Sequence, residues 1–336
     1  MGFDMRKTLA TLALMLATSP LLAADELPAL AIDGDRVAVF GLSSGAYMAQ
    51  QLHFAYSSRF SGAAMMAGGP FGCAKGDLGT ALKQCMNPAA ADQPDLAALA
   101  DAIRDRADAG ELDALSGLAG DRVYVFHGRL DQTVGEAITR ASGDLYAALD
   151  APVNLQTDYA REVAHTLPTL GEGQCDRSES PWLAPCDFDL AGAAMRHLYD
   201  LPDDAEATPA QGEIQSFSQR QALAGELPPG LAEQGYLYVP KACTEGGCGL
   251  LVALHGCQQT SDLIGTAFVE GSGLRRWADL AKVVVLYPQT APSMMPLNPK
   301  ACWDWWGYSG KNYDGRDGAQ TRALMRFVDI LQAPSR

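Results

Sequence analysis

The 336-residue chain predicts an α/β fold in which one mostly parallel sheet is flanked by helices. Three observations carry that prediction. Short β-rich runs recur between stretches of helical apolar spacing, the pattern of parallel strands joined by crossover helices. Two of these runs stop on a glycine or a His-Gly step, where a chain leaving a sheet must turn. The segment Gly41-Leu42-Ser43-Ser44-Gly45 falls at one such strand end, directly before a helical pattern.

Taken in order, the first stretch is an address rather than a structural element. Arg6 and Lys7 precede an apolar run from Leu9 to Leu22, and the small residues Ala23 and Ala24 follow. A charged start, a short apolar core and a small-residue cleavage site make a secretory signal. Residues 1–24 are therefore read as a signal peptide cleaved near Ala23 or Ala24, and residues 25–336 as a single domain of a protein secreted to the periplasm or the medium. A membrane anchor is not expected, because the run is short and contains Ser19 and Pro20.

Within residues 25–200, Arg36–Phe40 (RVAVF) reads as a strand and Ser44–Tyr56 as a helix with Tyr47, Met48, Leu52 and Tyr56 on one face. Ala63–Ala67 is the next strand, Ala91–Ala109 an alanine-rich helix, Arg122–Phe126 (RVYVF) a third strand and Val153–Thr157 a fourth. Residues 201–234 read as a connector, acidic and proline-containing at LPDDAEATPAQGE. In residues 235–336, Gly235–Val239, Gly249–Leu254 and Val283–Tyr287 read as strands, with a helix over Arg275–Ala281. Three strands alone cannot bury both faces of a sheet, so both segments are expected to share one.

Composition narrows the partners. A formal charge of −15 argues against nucleic acid or an anionic membrane, since both reward basic surface. It favours uncharged or cationic substrates, and it also keeps an exported protein soluble. The eight cysteines form sequence-local pairs: Cys73 with Cys85, Cys175 with Cys186, Cys243 with Cys248, leaving Cys257 and Cys302. An even count in an exported chain predicts four disulfides, paired here by proximity. No CxxC pair or histidine cluster at ligand spacing suggests a metal, and no cofactor is implied.

The chemistry centres on GxSxG. In a strand–turn–helix context this motif is the elbow that raises a nucleophilic serine, here Ser43. Ser44, at the variable position, would contribute its backbone N–H. A serine hydroxyl needs a base, and the base needs an orienting acid. In α/β-hydrolases these follow in the order Ser, Asp or Glu, His. Asp131 lies on the loop after the RVYVF strand, where sites in open α/β sheets collect. Of the five histidines, His53 lies in the helix after the nucleophile, His127 precedes the acid loop, His197 is helical and His255 closes a strand. His165 follows a strand and Asp131 in the required order, and elimination and order together favour it. The His255-Gly256 step resembles the oxyanion loop of lipases and esterases, with Ser44 and Cys257 as the expected donors. Each such donor stabilises a tetrahedral intermediate by about 3–4 kcal/mol. In the usual chain order this loop precedes the nucleophile, whereas here it follows well over half the chain later, which predicts a circular permutation. Cys302-Trp303-Asp304-Trp305-Trp306-Gly307-Tyr308 packs a core or forms an aromatic rim gripping an apolar substrate. A Cys257–Cys302 bridge would tie it beside the oxyanion loop.

Together GLSSGAYMA, AGGPFGCA, HGRLDQTVG, AHTLPT, GYLYVP, VALHGCQQ, LYPQ and CWDW resemble, in order, the single-domain, circularly permuted poly(3-hydroxybutyrate) depolymerases. The resemblance spans nearly the whole mature chain. It implies Ser43, Asp131 and His165 as catalytic triad, Ser44 and Cys257 as oxyanion donors, and Trp303, Trp305 and Tyr308 as the polyester-binding rim. It implies a polyester or its oligomers as substrate, and a monomer is the expected state. No polymer-adsorbing module is read after the last helix, so adsorption is expected from the catalytic face itself. Two other functions compete: an esterase for soluble acetyl or feruloyl esters, and a non-catalytic binding protein on the same fold. The ordered Ser, Asp and His argue against the second.

Overall fold

The structure is a computed structural model and describes residues 26–334. The signal peptide read at residues 1–24 lies outside the described residues. The first four strands are β1 (Val37–Leu42), β2 (Gly62–Met66), β3 (Arg122–Phe126) and β4 (Asn154–Asp158). A small separate pair follows, β5 (Leu167–Thr169) and β6 (Leu183–Pro185), then β7 (Glu213–Ser218), β8 (Gln234–Val239), β9 (Gly249–Leu254) and β10 (Val283–Tyr287). Eight strands form one sheet in the order β4-β3-β2-β1-β9-β10-β8-β7. Only β8 runs against its neighbours. The two chain segments meet where β1 pairs in parallel with β9, Gly41 standing opposite Leu254.

Burial on both faces dictates the composition of the central strands. VAVFGL, GLLVAL and VVVLY are buried throughout, as continuous apolar runs in a covered parallel sheet should be. On one face lie α1 (Ser44–Ala55), α3 (Leu96–Asp108), α4 (Glu136–Ala148) and α10 (Ala319–Gln332), with α2 (Leu78–Gln84) outside them. On the other lie α5 (Leu190–Leu198), α8 (Ala267–Gly271) and α9 (Leu274–Ala281). Two short helices, α6 (Gln219–Ala222) and α7 (Ser261–Ile264), complete the set described.

Two sequence readings need correction. The connector at 201–234 carries β7 and α6, so the second segment contributes four strands to the sheet. The β7 sequence EIQSFS hides because an edge strand is only half-buried and needs no apolar run. The helix read over Ala91–Ala109 begins at Leu96, where the Asp95 carboxylate caps it by accepting from the N–H groups of Ala97 and Ala98.

The four disulfides join Cys73–Cys85, Cys175–Cys186, Cys243–Cys248 and Cys257–Cys302. Polar side chains also pin α1. His53 is fully buried, with Nε2 2.9 Å from Asp121 and Nδ1 2.8 Å from the Tyr146 hydroxyl. Gln50 spans the same face, donating to the Ser142 carbonyl and accepting from the Phe71 N–H. The helix carrying the elbow is thereby fixed against α4 and the start of β3.

Candidate active site

Ser43 sits between β1 and α1 at φ +54° and ψ −119°, a conformation that costs a non-glycine residue strain. Its surroundings demand glycine on both sides. A Cβ on Gly41 would lie 2.0 Å from the Gly45 carbonyl oxygen, and one on Gly45 would lie 2.3 Å from that of Leu254. Bare backbone at these positions lets α1 approach the ends of β1 and β9, and the serine hydroxyl is left standing above the sheet.

The structure brings Ser43, His165 and Asp131 into one hydrogen-bonded line. His165 Nε2 is 2.9 Å from Ser43 Oγ, and Nδ1 is 2.7 Å from Asp131 Oδ2. The other Asp131 oxygen accepts from the N–H groups of Thr133 and Val134, at 2.8 and 3.0 Å. With the carboxylate accepting at Nδ1, the imidazole carries its proton there and presents a lone pair at Nε2 to the serine. The backbone behind the ring is also held, since the His165 main-chain N–H donates to Ser178 Oγ at 2.9 Å.

The loop after β9 lies beside the serine. A Cβ on Gly256 would come 3.3 Å from Ser43 Cβ. Gln259 shapes this loop from a buried position: its Oε1 accepts from the Gly256 N–H at 2.7 Å, and its Nε2 donates to the Pro181 carbonyl at 2.9 Å. His255 is sealed beneath it, donating from Nδ1 to the Gly256 carbonyl and accepting at Nε2 from the Thr290 N–H. Burial pushes its pKa down to about 4, so it stays neutral near pH 7. Ser44 opens α1, where amides have no partner within the helix, and both Ser44 and Cys257 line the cleft around Ser43.

That cleft encloses about 490 Å³ and is mainly apolar, with Leu82, Met86, Trp182, Leu297, Trp305 and Trp306 in its walls. Such a space suits a small apolar ligand positioned by a few polar groups. Trp305 stacks on Tyr47 with ring centroids 4.6 Å apart, and Trp306 meets Trp305 edge-on at 5.5 Å. Burial, helped by the nearby Asp131 charge, raises the Tyr47 pKa, and its hydroxyl donates to the Cys85 carbonyl. A roomier groove of about 930 Å³ lies beyond the Cys73–Cys85 bridge, but neither serine nor histidine lines it. Among the described residues, no cluster of histidine, cysteine or carboxylate groups is placed to hold a metal ion.

The aromatic segment departs from expectation in two places. Trp303 does not line the cleft: it is fully buried in the core, its ring 5.5 Å from that of His255. Tyr308 does not line it either, because its hydroxyl is engaged internally with the Cys302 carbonyl, Asn298 and Gln320. The loop's path explains both. The Asp304 carboxylate accepts from the N–H groups of Trp306, Gly307, Tyr308 and Ser309, curling the chain so that Trp305 and Trp306 face the cleft. Trp306, Tyr47, Leu82 and Leu297 are cleft residues that sequence reasoning missed. Only Trp306 had a signal, its place in the aromatic run.

No protein-family model matches the chain. It is 38% identical over 319 residues to a poly(3-hydroxybutyrate) depolymerase of Delftia acidovorans, covering 93% of this chain and 62% of that one. Thus it spans somewhat less than two thirds of that relative's length. It is 32% identical over 322 residues to a polyhydroxybutyrate depolymerase of Talaromyces funiculosus, covering 91% and 92% of the two chains. The crystal structure of PHB depolymerase from Penicillium funiculosum superposes with a TM-score of 0.82 at 32% identity, over 93% of this chain and all of that one. A PHB depolymerase complexed with R3HB trimer gives the same TM-score at 31% identity. With identity above 30% along almost the full length of the fungal relative, the chain belongs to the poly(3-hydroxybutyrate) depolymerase family.

Proposed function

We propose that this chain is a secreted serine esterase that hydrolyses ester bonds of poly(3-hydroxybutyrate), or a related short-chain polyhydroxyalkanoate, through an acyl-enzyme. The observation that carries the reading is the Asp131–His165–Ser43 line in an apolar cleft. Ser43 Oγ attacks the ester carbonyl while His165 Nε2 takes its proton, and Asp131 holds the imidazole and stabilises its cation. The carbonyl oxygen becomes an oxyanion facing the amides of Ser44 and Cys257. Collapse expels the alcohol, which takes the proton from His165, and a water activated by the same ring then releases the acid. Trp305 and Trp306 flank the apolar chain, while Trp303 and Tyr308 support the loop from within.

Four disulfides support an oxidising destination, in keeping with export directed by residues 1–24. Among the described residues no helix is long and apolar enough to cross a membrane. The junction of β1 with β9 supports a permuted chain, with the oxyanion strand adjacent to the nucleophile strand in space but not in sequence.

The direct test is the clearing of an amorphous poly(3-hydroxybutyrate) suspension, with Ser43→Ala alongside. Clearing by the mature protein and none by the variant is the expected result. No clearing together with intact hydrolysis of p-nitrophenyl butyrate would keep the serine chemistry and move the substrate to soluble esters.

A further inference from the structure

The cleft is almost free of charge in a protein that carries a net −15. Among the described residues no aspartate or glutamate lines it, and its ionisable groups are His165, the buried Tyr47 phenol, whose pKa is raised, and Lys300, which alone carries a full positive charge near pH 7. Lys83 pairs with Asp92 at the surface, whereas Lys300 is exposed and has no carboxylate partner among the described residues. Its place is nevertheless well defined. The Lys300 carbonyl accepts from the Gln258 N–H at 2.7 Å, directly beside the oxyanion loop. Asn298 exchanges two hydrogen bonds with the Cys302 backbone, and the Cys257–Cys302 bridge closes the strap. A rigid backbone thus presents one unpaired ammonium at an apolar site.

We propose that Lys300 is a specificity-determining residue that binds the free carboxylate end of the substrate chain. The inference rests on the esterase reading above. A hydroxyalkanoate chain is uncharged along its length and carries one carboxylate, at its acid terminus. On cleavage the acid-terminal part leaves as the alcohol, so this carboxylate belongs to the leaving fragment and does not take part in bond breaking. The general field of an acidic protein repels such a terminus, and a local cation offsets that repulsion where the chain must lie. Short oligomers, in which each scissile ester lies near the acid end, gain most from it.

The test compares the (R)-3-hydroxybutyrate trimer as free acid and as methyl ester, two substrates that differ in this one charge. The ratio of their kcat/KM values is expected to favour the free acid in the wild type. It falls about two- to fivefold in Lys300→Gln, the range of one exposed ion pair, and further in Lys300→Glu. The change resides in KM rather than kcat, because the charge lies away from the reacting carbonyl. About 0.5 M salt lowers the wild-type ratio toward that of Lys300→Gln by screening. A ratio equal in the wild type and both variants would overturn the proposal while leaving the esterase reading intact. Failure of the wild type to cleave either trimer would overturn both.

Discussion

Asp131 uses both carboxylate oxygens, one on His165 and one on the amides of Thr133 and Val134, so the loop and the imidazole are aligned together. The tryptophans divide the labour as sharply. Trp303 is fully buried while Trp305 lines the cleft, so their alanine variants should fail differently. Trp303→Ala is expected to lower unfolding stability by about 3–5 kcal/mol, read by urea denaturation. Trp305→Ala should instead raise KM for oligomers with a smaller loss of stability. His255 yields a pH dependence. Its folded pKa near 4 lies below the ordinary value of 6.5, so the unfolded chain binds the extra proton first as pH falls. Its stabilising contribution is full above about pH 6.5 and is lost progressively toward pH 4, by up to about 3 kcal/mol. Denaturation across that window should show the slope, and His255→Gln should flatten it. At this scale Ser43, Asp131 and His165 were legible because a motif and a chain order constrain them. The facing of Trp303 and Tyr308 was not, because the Asp304 carboxylate decides which aromatics turn inward, and that is a matter of loop path rather than composition.

Among the elements, α1 bears the tightest constraint. It approaches β9 so closely that any side chain at position 45 strikes the Leu254 carbonyl. Backbone cannot yield as a flexible side chain can, so Gly45→Ala should cost about 3 kcal/mol of stability and most of the activity. Equal denaturation midpoints for this variant and the wild type would contradict the close approach. The central strands could be read directly, since burial on both faces leaves unbroken apolar runs such as GLLVAL. The edge strand β7 could not, because its residues EIQSFS are half-buried and its pairing with β8 supplies order that no periodicity announces. For the same reason the start of α3 was misplaced: alanine-rich sequence tolerates helix widely, and the Asp95 cap sets the boundary.

For the whole molecule, the sheet assembled from both ends of the chain is what makes a site possible. Ser43 and His165 come from the first segment and the Gly256-Cys257 loop from the second, and neither segment alone contains both that serine and that loop. The dispersal of the acidic charge away from the cleft wall belongs to this scale too, since among the described residues no carboxylate lines it. We propose that this one assembled serine performs polyester hydrolysis. It is tested most directly by treating the mature protein with a serine-directed alkyl phosphonate, mapping the adduct by mass spectrometry and following polymer clearing in the same sample. A single adduct on Ser43 and a loss of clearing in proportion to labelling are expected. Clearing that persists when Ser43 is fully labelled, or an adduct on another residue that abolishes clearing, would contradict it.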